Sequence, residues 1–553
     1  MNKRLSWFGR NIFAGAAILL LSWAGSLQAA VWQWSEPVDG GRAFLWIPGD
    51  CKKVRAIVFG QDNMIEQGLL EHPAMRRTLA GLGIAELWVA PPYETWQNAA
   101  TNDAANAKFD GILQAFARDS GYGELKSAPI IPLGHSAMAS FPWNFAAWNP
   151  QRTLAILSVH GDAPQTNLTG NSKPNAEWGT HTIDGIPGLM VMGEYEWSEG
   201  RLTPALKFRA EHPDDPIAML AEPGSGHFNY NDDLGEFLAM FIQKAVAARL
   251  PAQEPAGQGP ALKPVQAKDG WLVQRWTLNQ PRTIRPAPFA QYKGDSSEAF
   301  WAFDQEMAQA VHGFRANQIG KLPQLLSVTA DDQPVEKGCG EPVTPPFIPE
   351  ADGITFHLKT AFMDHVPAAR DNGNPARWSE LPGGSSIGHA SGGGPIVMKK
   401  IVGPVAILSP DTFQIQLNLI NGTDDRRKYD IWLFASHPGD AKYKSIIQQV
   451  FVRITPNTEG IEQHLTFPTI SPQRADAAPI KLEATSDAGL PVAYYVQQGP
   501  AKVVDGKLKL LPIPPRAKYP VKVTVVAWQW GRSNGAKVKT ATPVEQTFDL
   551  TGP

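Results

Sequence analysis

Short apolar runs alternate with helix-like patterns over the first half of the chain. The runs cover 54–59, 84–90, 128–133, 154–159, 188–192 and 217–221. Strands buried on both faces read as nearly continuous apolar runs, so these segments predict a largely parallel sheet covered by helices. Asn231 or Asp232 can cap a last helix, whose apolar residues between Leu234 and Ala245 fall on one face. We expect an α/β domain over residues 35–250.

The middle of the chain changes to β character after a segment rich in Pro and Gly. That segment, 251–264, suits neither a helix nor a central strand, and we place a linker there. Asp295 and Glu298 predict the start of a helix that carries Phe300 and the apolar residues after it. Alternating apolar and polar positions predict strands at 354–358, 413–419 and 429–434. A helix-containing, sandwich-like β-rich domain over 265–460 follows from this pattern.

The last part of the chain, 461–553, shows short apolar stretches separated by turn signals. Asp505-Gly506 lies between two of these stretches and predicts a hairpin. The run from Ala484-Thr485 through Gly489-Leu490-Pro491-Val492 to Gly499-Pro500-Ala501 resembles bacterial immunoglobulin-like modules of secreted proteins. The resemblance implies a small β-sandwich that acts as a spacer or adhesive module.

Composition excludes some classes of partner. The 553 residues include 50 Lys and Arg against 53 Asp and Glu, for a net charge of -3 with 19% charged residues. Binding to nucleic acid relies on a basic surface, so we expect no nucleic-acid partner. The histidines and acidic residues show no metal-ligand spacing, and we expect no metal and no cofactor.

The beginning of the chain predicts export. Basic residues up to Arg10 precede an apolar stretch from Ile12 to Trp23, and small residues follow at Ala29-Ala30. We expect residues 1–29 to be a signal peptide, with cleavage after Ala29 or Ala30. The mature protein is then periplasmic or extracellular and has no membrane span.

Two cysteines, Cys51 and Cys339, are present in the whole chain. An oxidising compartment permits a disulfide between them, and the sequence leaves that pairing open.

A serine follows one of the predicted strands in a setting that suits a nucleophile. Ser136 lies in Gly134-His135-Ser136-Ala137-Met138, after the apolar run 128–133 and before a segment that can begin a helix. A strand-to-helix turn would expose the hydroxyl at the edge of the sheet and direct the Ala137 N–H at an oxyanion. At this point the sequence resembles the α/β-hydrolase superfamily.

The resemblance implies a Ser–acid–His order along the chain, and this sequence keeps it. Glu196 ends Gly193-Glu194-Tyr195-Glu196, which resembles the family's Gly-x-x-acid turn. His227 lies in Gly224-Ser225-Gly226-His227-Phe228, which resembles the family's histidine loop. The implied triad is Ser136, Glu196 and His227, although Glu194 and Asp162 remain alternatives for the acid.

A second oxyanion donor is expected from the backbone after the run 54–59, at Gln61 or Asp62. The family usually has a small residue two places after the nucleophile, where this chain has Met138. A stricter match to the motif occurs at Gly384-Ser385-Ser386-Ile387-Gly388. We reject this second match because no apolar strand precedes it and the glycines after it cannot form a helix.

Aromatic residues are concentrated on the predicted loops around the triad. Aromatic faces stack on sugar rings or phenolic groups. The candidates for substrate binding are Trp143, Trp178, Tyr195, Trp197 and Phe228, with Tyr93, Trp96 and Tyr230 beside them.

These features predict an exported serine hydrolase that cleaves carboxylic esters through an acyl-enzyme. Exported hydrolases with appended β modules resemble carbohydrate esterases, so the expected substrate is a small-molecule or polysaccharide ester. A peptidase with the same triad and a non-enzymatic carbohydrate- or surface-binding protein remain as alternatives.

Overall fold

A computed structural model describes residues 31–167, 174–252, 259–330, 333–334, 342–367 and 378–553. The predicted signal peptide and Cys339 lie outside the described residues, while Cys51 is buried. Val31–Pro553 form one compact unit. The divisions at 251–264 and at 460 stay predictions.

An eight-stranded sheet forms the first part of the fold. Its strands are β1 (Trp34–Val38), β2 (Gly41–Trp46), β3 (Ala56–Gln61), β4 (Ile84–Ala90), β5 (Ile130–His135), β6 (Ile156–Val159), β7 (Gly188–Gly193) and β8 (Ile217–Glu222). The spatial order is β1-β2-β4-β3-β5-β6-β7-β8. β1 pairs antiparallel with β2 and β2 with β4, whereas the pairs from β4 through β3 to β8 are parallel. The prediction of a mostly parallel sheet is confirmed.

Helices cover both faces of this sheet. They are α1 (Glu66–Leu70), α2 (Pro73–Leu82), α3 (Ala99–Ser120), α4 (Phe141–Trp148), α5 (Glu199–Glu211) and α6 (Asp232–Arg249). Asn231 caps α6, because its side chain accepts a hydrogen bond from Leu234 N at 2.8 Å. The predicted apolar face of α6 is buried against the sheet core.

The region after the sheet contains small, mostly antiparallel sheets, as the predicted β-rich character requires. Up to residue 453 its strands are β9 (Trp271–Gln274), β10 (Ala287–Pro288), β11 (Ala299–Ala302), β12 (Leu326–Ala330), β13 (Gln333–Pro334), β14 (Thr355–His357), β15 (Lys359–Phe362), β16 (Val397–Val402), β17 (Val405–Ile407), β18 (Thr412–Ile415), β19 (Asp430–His437) and β20 (Ile446–Arg453). The helix α7 (Gln305–Gly313) lies between β11 and β12.

The predicted start of α7 is wrong. Asp295 caps a short 3-10 turn over Ser296–Glu298, and Phe300 then lies in β11, which pairs with β9. The helix begins only after Asp304, whose side chain accepts from Met307 N at 3.0 Å. Pairing with a distant strand overrides the local helical pattern here.

The last strands form a four-stranded, a three-stranded and a two-stranded sheet. They are β21 (Leu465–Thr466), β22 (Gln473–Arg474), β23 (Ile480–Lys481), β24 (Thr485–Ser486), β25 (Ala493–Gln498), β26 (Ala501–Val504), β27 (Lys507–Leu510), β28 (Val521–Trp528) and β29 (Val544–Thr551). Asp505 and Gly506 join β26 to β27 with φ values of 49° and 68°, as a tight hairpin turn requires.

One hydrophobic core continues from the parallel sheet into the β-rich region. Leu238 of α6 belongs to the same buried cluster as Phe434 of β19 and Val450 of β20. The strands β19 and β20 contact the histidine loop, where the Trp432 ring lies 5.5 Å from that of Phe228. Among the helices of the described ranges, none combines the length and the apolar character needed to cross a bilayer.

Candidate active site

Ser136 lies at a sharp turn between β5 and a 3-10 turn that leads to α4. Its φ is 53°, in the left-handed region that non-glycine residues seldom adopt. A Cβ on Gly134 would lie 2.0 Å from the Met138 carbonyl oxygen, so this turn requires glycine at Gly134. The Met138 side chain points into the core and is 5% exposed. The larger residue is accommodated there without obstructing the serine.

The structure brings Ser136, His227 and Glu196 into one chain of hydrogen bonds. Ser136 Oγ donates to His227 Nε2 at 2.6 Å, and His227 Nδ1 donates to Glu196 Oε2 at 2.5 Å. The histidine is 19% exposed and the glutamate 7%. Ser136 is half-buried.

The Glu196 carboxylate is saturated with hydrogen-bond donors. Oε1 accepts from Gly193 N at 3.1 Å and from His160 Nδ1 at 2.5 Å. Oε2 accepts from Arg201 at 2.9 Å as well as from His227. Burial alone would raise the pKa of Glu196, but the two histidines outweigh it and hold the pKa well below its ordinary value.

The two other candidate acids have different partners. Glu194 Oε1 pairs with Lys444 at 2.6 Å, and Oε2 accepts from Gly224 N at 2.7 Å. Asp162 is buried, and its backbone oxygen accepts from the Trp143 indole at 2.7 Å. The carboxylate on His227 belongs to Glu196.

A second histidine fixes the backbone of the histidine loop. His135 Nε2 donates to the His227 carbonyl at 2.8 Å. Burial, followed by the nearby charges of His227 and His160, lowers the pKa of His135 well below its ordinary value. A neutral ring with one N–H is consistent with this single donated hydrogen bond.

Of the two residues predicted as the second oxyanion donor, the structure excludes Asp62 and leaves Gln61 as a candidate. Asp62 N donates to Val89 O at 2.8 Å, which extends the parallel ladder, so this N–H is not offered to an oxyanion. Gln61 is the last residue of β3, and its side chain holds the loop at Tyr93 and Glu94. The assignment of Gln61 N and of Ala137 N as oxyanion donors stays a prediction.

Glu66, which the sequence analysis did not single out, joins the β3 loop to the nucleophile turn. Its Oε2 accepts from Asn63 N at 3.1 Å and from Met64 N at 2.9 Å, and its Oε1 accepts from His135 N at 2.8 Å. Burial, then the charge of Asp62, raises the pKa of Glu66 to about 8. One buried side chain thus sets the spacing of the two loops that border Ser136.

Most of the aromatic candidates for substrate binding are core residues. Trp143, Trp178, Trp197 and Tyr195 are between 0% and 6% exposed. Their polar atoms bond to Asp162 O, Asn144 Oδ1, Glu199 Oε1 and Ser445 O, respectively. A ring without an open face cannot stack on a substrate, so the prediction for these four residues is wrong.

Phe228 lies beside the triad and, of the five candidates for substrate binding, is the one that is not buried. It is half-buried and packs edge-on against His227, with the ring centroids 4.4 Å apart. Trp432 of β19 lies next to it at 5.5 Å and is also half-buried. These two rings form an aromatic wall at the site, and half of it comes from the β-rich region.

The β-rich region also supports both loops of the site. Arg427 donates to Asn63 Oδ1 at 3.2 Å on the β3 loop. On the other side, Arg315 reaches Ser225 Oγ at 2.8 Å on the histidine loop. These contacts join residues far apart along the chain, so no local sequence signal could have indicated them. Within the described ranges, no group of three or more His, Cys, Asp or Glu residues could hold a metal ion.

Comparisons with known proteins give fold-level neighbours only. No family model and no curated protein matches the sequence. Among solved structures, the chain is similar to a soluble variant of monoglyceride lipase from Saccharomyces cerevisiae in complex with a substrate analogue, at 12% identity and a TM-score of 0.27, covering 40% of this chain and 97% of that one. It is also similar to Est1E from Butyrivibrio proteoclasticus, at 16% identity and a TM-score of 0.26, over 39% and 99% of the two chains. A third neighbour is poly(aspartic acid) hydrolase-1 from Sphingomonas sp. KT-1, at 12% identity and a TM-score of 0.28, over 38% and 99%.

The class of fold follows from the strand order and the connections described above. An antiparallel β1–β2 pair leads into a parallel sheet, and a serine turn follows β5. An acid follows β7, and a histidine follows β8. The first part of the chain has the α/β-hydrolase fold, and a β-rich region follows it.

Proposed function

We propose that this protein is an exported serine hydrolase that cleaves carboxylic esters through an acyl-enzyme on Ser136. The observation that carries the proposal is the continuous hydrogen-bond chain from Ser136 through His227 to Glu196. A serine hydroxyl becomes a strong nucleophile only when an oriented base can take its proton, and this chain supplies that base.

In the first half of the proposed reaction, Ser136 Oγ attacks the ester carbonyl carbon while its proton moves to His227 Nε2. The tetrahedral oxyanion faces the Ala137 N–H. His227 then gives the proton to the leaving alcohol oxygen as the C–O bond breaks, and the acyl group stays on Ser136. In the second half, His227 takes a proton from water as the water oxygen attacks the acyl carbon; the bond between that carbon and Ser136 Oγ then breaks, His227 returns the proton to Ser136 Oγ, and the carboxylic acid leaves. Glu196 stays ionised throughout and orients the imidazole.

Acylated polysaccharide is the substrate class that we propose. The aromatic wall of Phe228 and Trp432 stands beside His227, and aromatic faces stack on the apolar faces of sugar rings. Export through the predicted signal peptide would place the enzyme where such polymers occur. The proposal includes the hypothesis that residues 461–553 form an immunoglobulin-like module, which acts as a spacer or an adhesive module.

Substrate comparison tests both levels of the proposal. We expect turnover of p-nitrophenyl acetate and of acetylated, feruloylated or methyl-esterified oligosaccharides, with little cleavage of the matching anilide. Trp432→Ala should raise KM for the oligosaccharide about fivefold and leave KM for p-nitrophenyl acetate unchanged, because one stacked ring contributes about 1 kcal/mol. Equal loss on both substrates would contradict the sugar-binding role, and efficient anilide cleavage would favour a peptidase.

A further inference from the structure

A second imidazole contacts the acid of the candidate triad. His160 follows β6, is fully buried, and donates from Nδ1 to Glu196 Oε1 at 2.5 Å. Its Nε2 lies 3.2 Å from Glu222 Oε2, at ion-pair distance. Glu222 ends β8 and is 1% exposed. The ring of His160 therefore lies between two buried carboxylates.

The backbone at this position supports a specific role. His160 has a φ of 48°, a left-handed conformation that is unfavourable for any residue with a Cβ. The next residue is Gly161, where a Cβ would lie 1.8 Å from the Ala139 Cβ. The turn after β6 thus packs directly against the segment that follows Ser136. Strained backbone that the surrounding structure maintains is found most often at functional sites.

The two carboxylates favour the charged form of His160. Burial alone would lower the pKa of His160, but the attraction of Glu196 and then of Glu222 outweighs it and raises the pKa to about 10. The geometry also fits an imidazolium: Nδ1 donates to Glu196, and the ring lies at ion-pair distance from Glu222, although His160 Nε2 and Glu222 Oε2 do not form a hydrogen bond with each other. Charges then alternate along Glu222, His160, Glu196 and His227 when His227 is protonated.

We propose that His160 is a positioning residue of this site. As an imidazolium between Glu196 and Glu222, it holds the Glu196 carboxylate in place. Its positive charge also keeps His227 unprotonated, and so able to act as a base, at lower pH than in a site that lacks His160. This inference rests on the proposed function, because it concerns how the same three groups work.

The charge argument follows from the distances. The ring centroids of His160 and His227 are 6.2 Å apart, so a fixed positive charge on His160 opposes protonation of His227. Arg201, from α5, adds a second positive charge at Glu196 Oε2. His135, from β5, also faces both rings, at centroid distances of 5.9 Å and 5.0 Å, and its lowered pKa makes it a neutral neighbour.

The pH dependence of kcat/KM for p-nitrophenyl acetate tests the charge. In His160→Asn the amide can still donate to Glu196, but the positive charge is lost. We expect the acid limb of the profile to move up by about one pH unit. Glu222→Gln should move it in the same direction, because His160 loses the carboxylate that favours its charged form. His72→Asn is the matched control, since His72 pairs with exposed Asp232 at 3.1 Å, away from the site.

Nuclear magnetic resonance of histidine labelled with nitrogen-15 gives a second readout that does not need turnover. We expect both nitrogens of His160 to stay protonated from pH 6 to 8 in the wild-type protein, and the signals are assigned by their absence from the His160→Asn spectrum.

A neutral His160 ring at pH 7 would overturn the proposal. Acid limbs that coincide with the wild type in both variants would also overturn it, because the charge would then have no effect on His227. If the wild type hydrolyses no ester, the proposed function fails, and the protonation of His160 is still decided by its spectrum.

Discussion

Replacing Ser136 by alanine is expected to lower kcat for p-nitrophenyl acetate by about six orders of magnitude. The hydroxyl lies 2.6 Å from His227 Nε2, and alanine has no atom that could attack the ester or exchange a proton with the imidazole. Thermal unfolding should change little, because Ser136 is half-buried and the change removes one oxygen. Steady-state kinetics together with the melting temperature measure both effects.

Ser386→Ala is the matched control for this experiment. Ser386 lies in the stricter match to the Gly-x-Ser-x-Gly motif. It is exposed, however, and no strand directly precedes it and no helix directly follows it. The variant should retain wild-type turnover. If Ser386→Ala lost its activity and Ser136→Ala kept it, the nucleophile would be Ser386, and the assignment of Ser136 would be wrong.

Replacing Glu196 by glutamine is expected to lower kcat by about three to four orders of magnitude. The amide lacks the negative charge that stabilises the His227 imidazolium, and its NH2 group can force the ring into the wrong tautomer. KM should change less than kcat, because Glu196 orients the base and does not face the substrate. Rates on the same ester at fixed pH check this expectation.

Glu194→Gln should show the opposite signature. Its carboxylate forms a buried pair with Lys444, and breaking such a pair costs about 3–5 kcal/mol because it leaves a buried charge without a partner. The free energy of unfolding should fall, while kcat of the folded fraction stays close to that of the wild type, because Glu194 does not contact His227. A large loss of kcat in Glu194→Gln and a small one in Glu196→Gln would reverse the assignment of the acid.

The parallel sheet could be predicted because buried strands leave a strong local signal. The run 84–90 corresponds to β4 residue for residue, and α6 begins directly after its predicted cap, Asn231. The hairpin of β1 and β2 was missed. In β1 the burial pattern is mixed and Pro37 is exposed, so no continuous apolar run marks that strand, whereas the apolar run that begins at Ala43 in β2 does not by itself indicate which strand it pairs with.

The candidate site was predictable where residues follow strands, and less so where the fold brings distant segments together. Ser136, Glu196 and His227 each follow a strand, and the structure places their side chains in contact. His160 also follows a strand, but nothing local distinguishes a histidine that contacts the acid from one in a core. Trp432 is more than 200 positions from His227, and only tertiary packing could reveal its place in the aromatic wall.

The central claim is that His227 and Glu196 activate the Ser136 hydroxyl. Incubation with a fluorophosphonate, followed by digestion and mass spectrometry, tests this claim most directly because the probe reacts with an activated serine whatever the natural substrate is. We predict one adduct, on the peptide that contains Ser136, with none in Ser136→Ala and much slower labelling in Glu196→Gln. An unlabelled wild-type protein, or an adduct on another serine that persists in Ser136→Ala, would contradict the account.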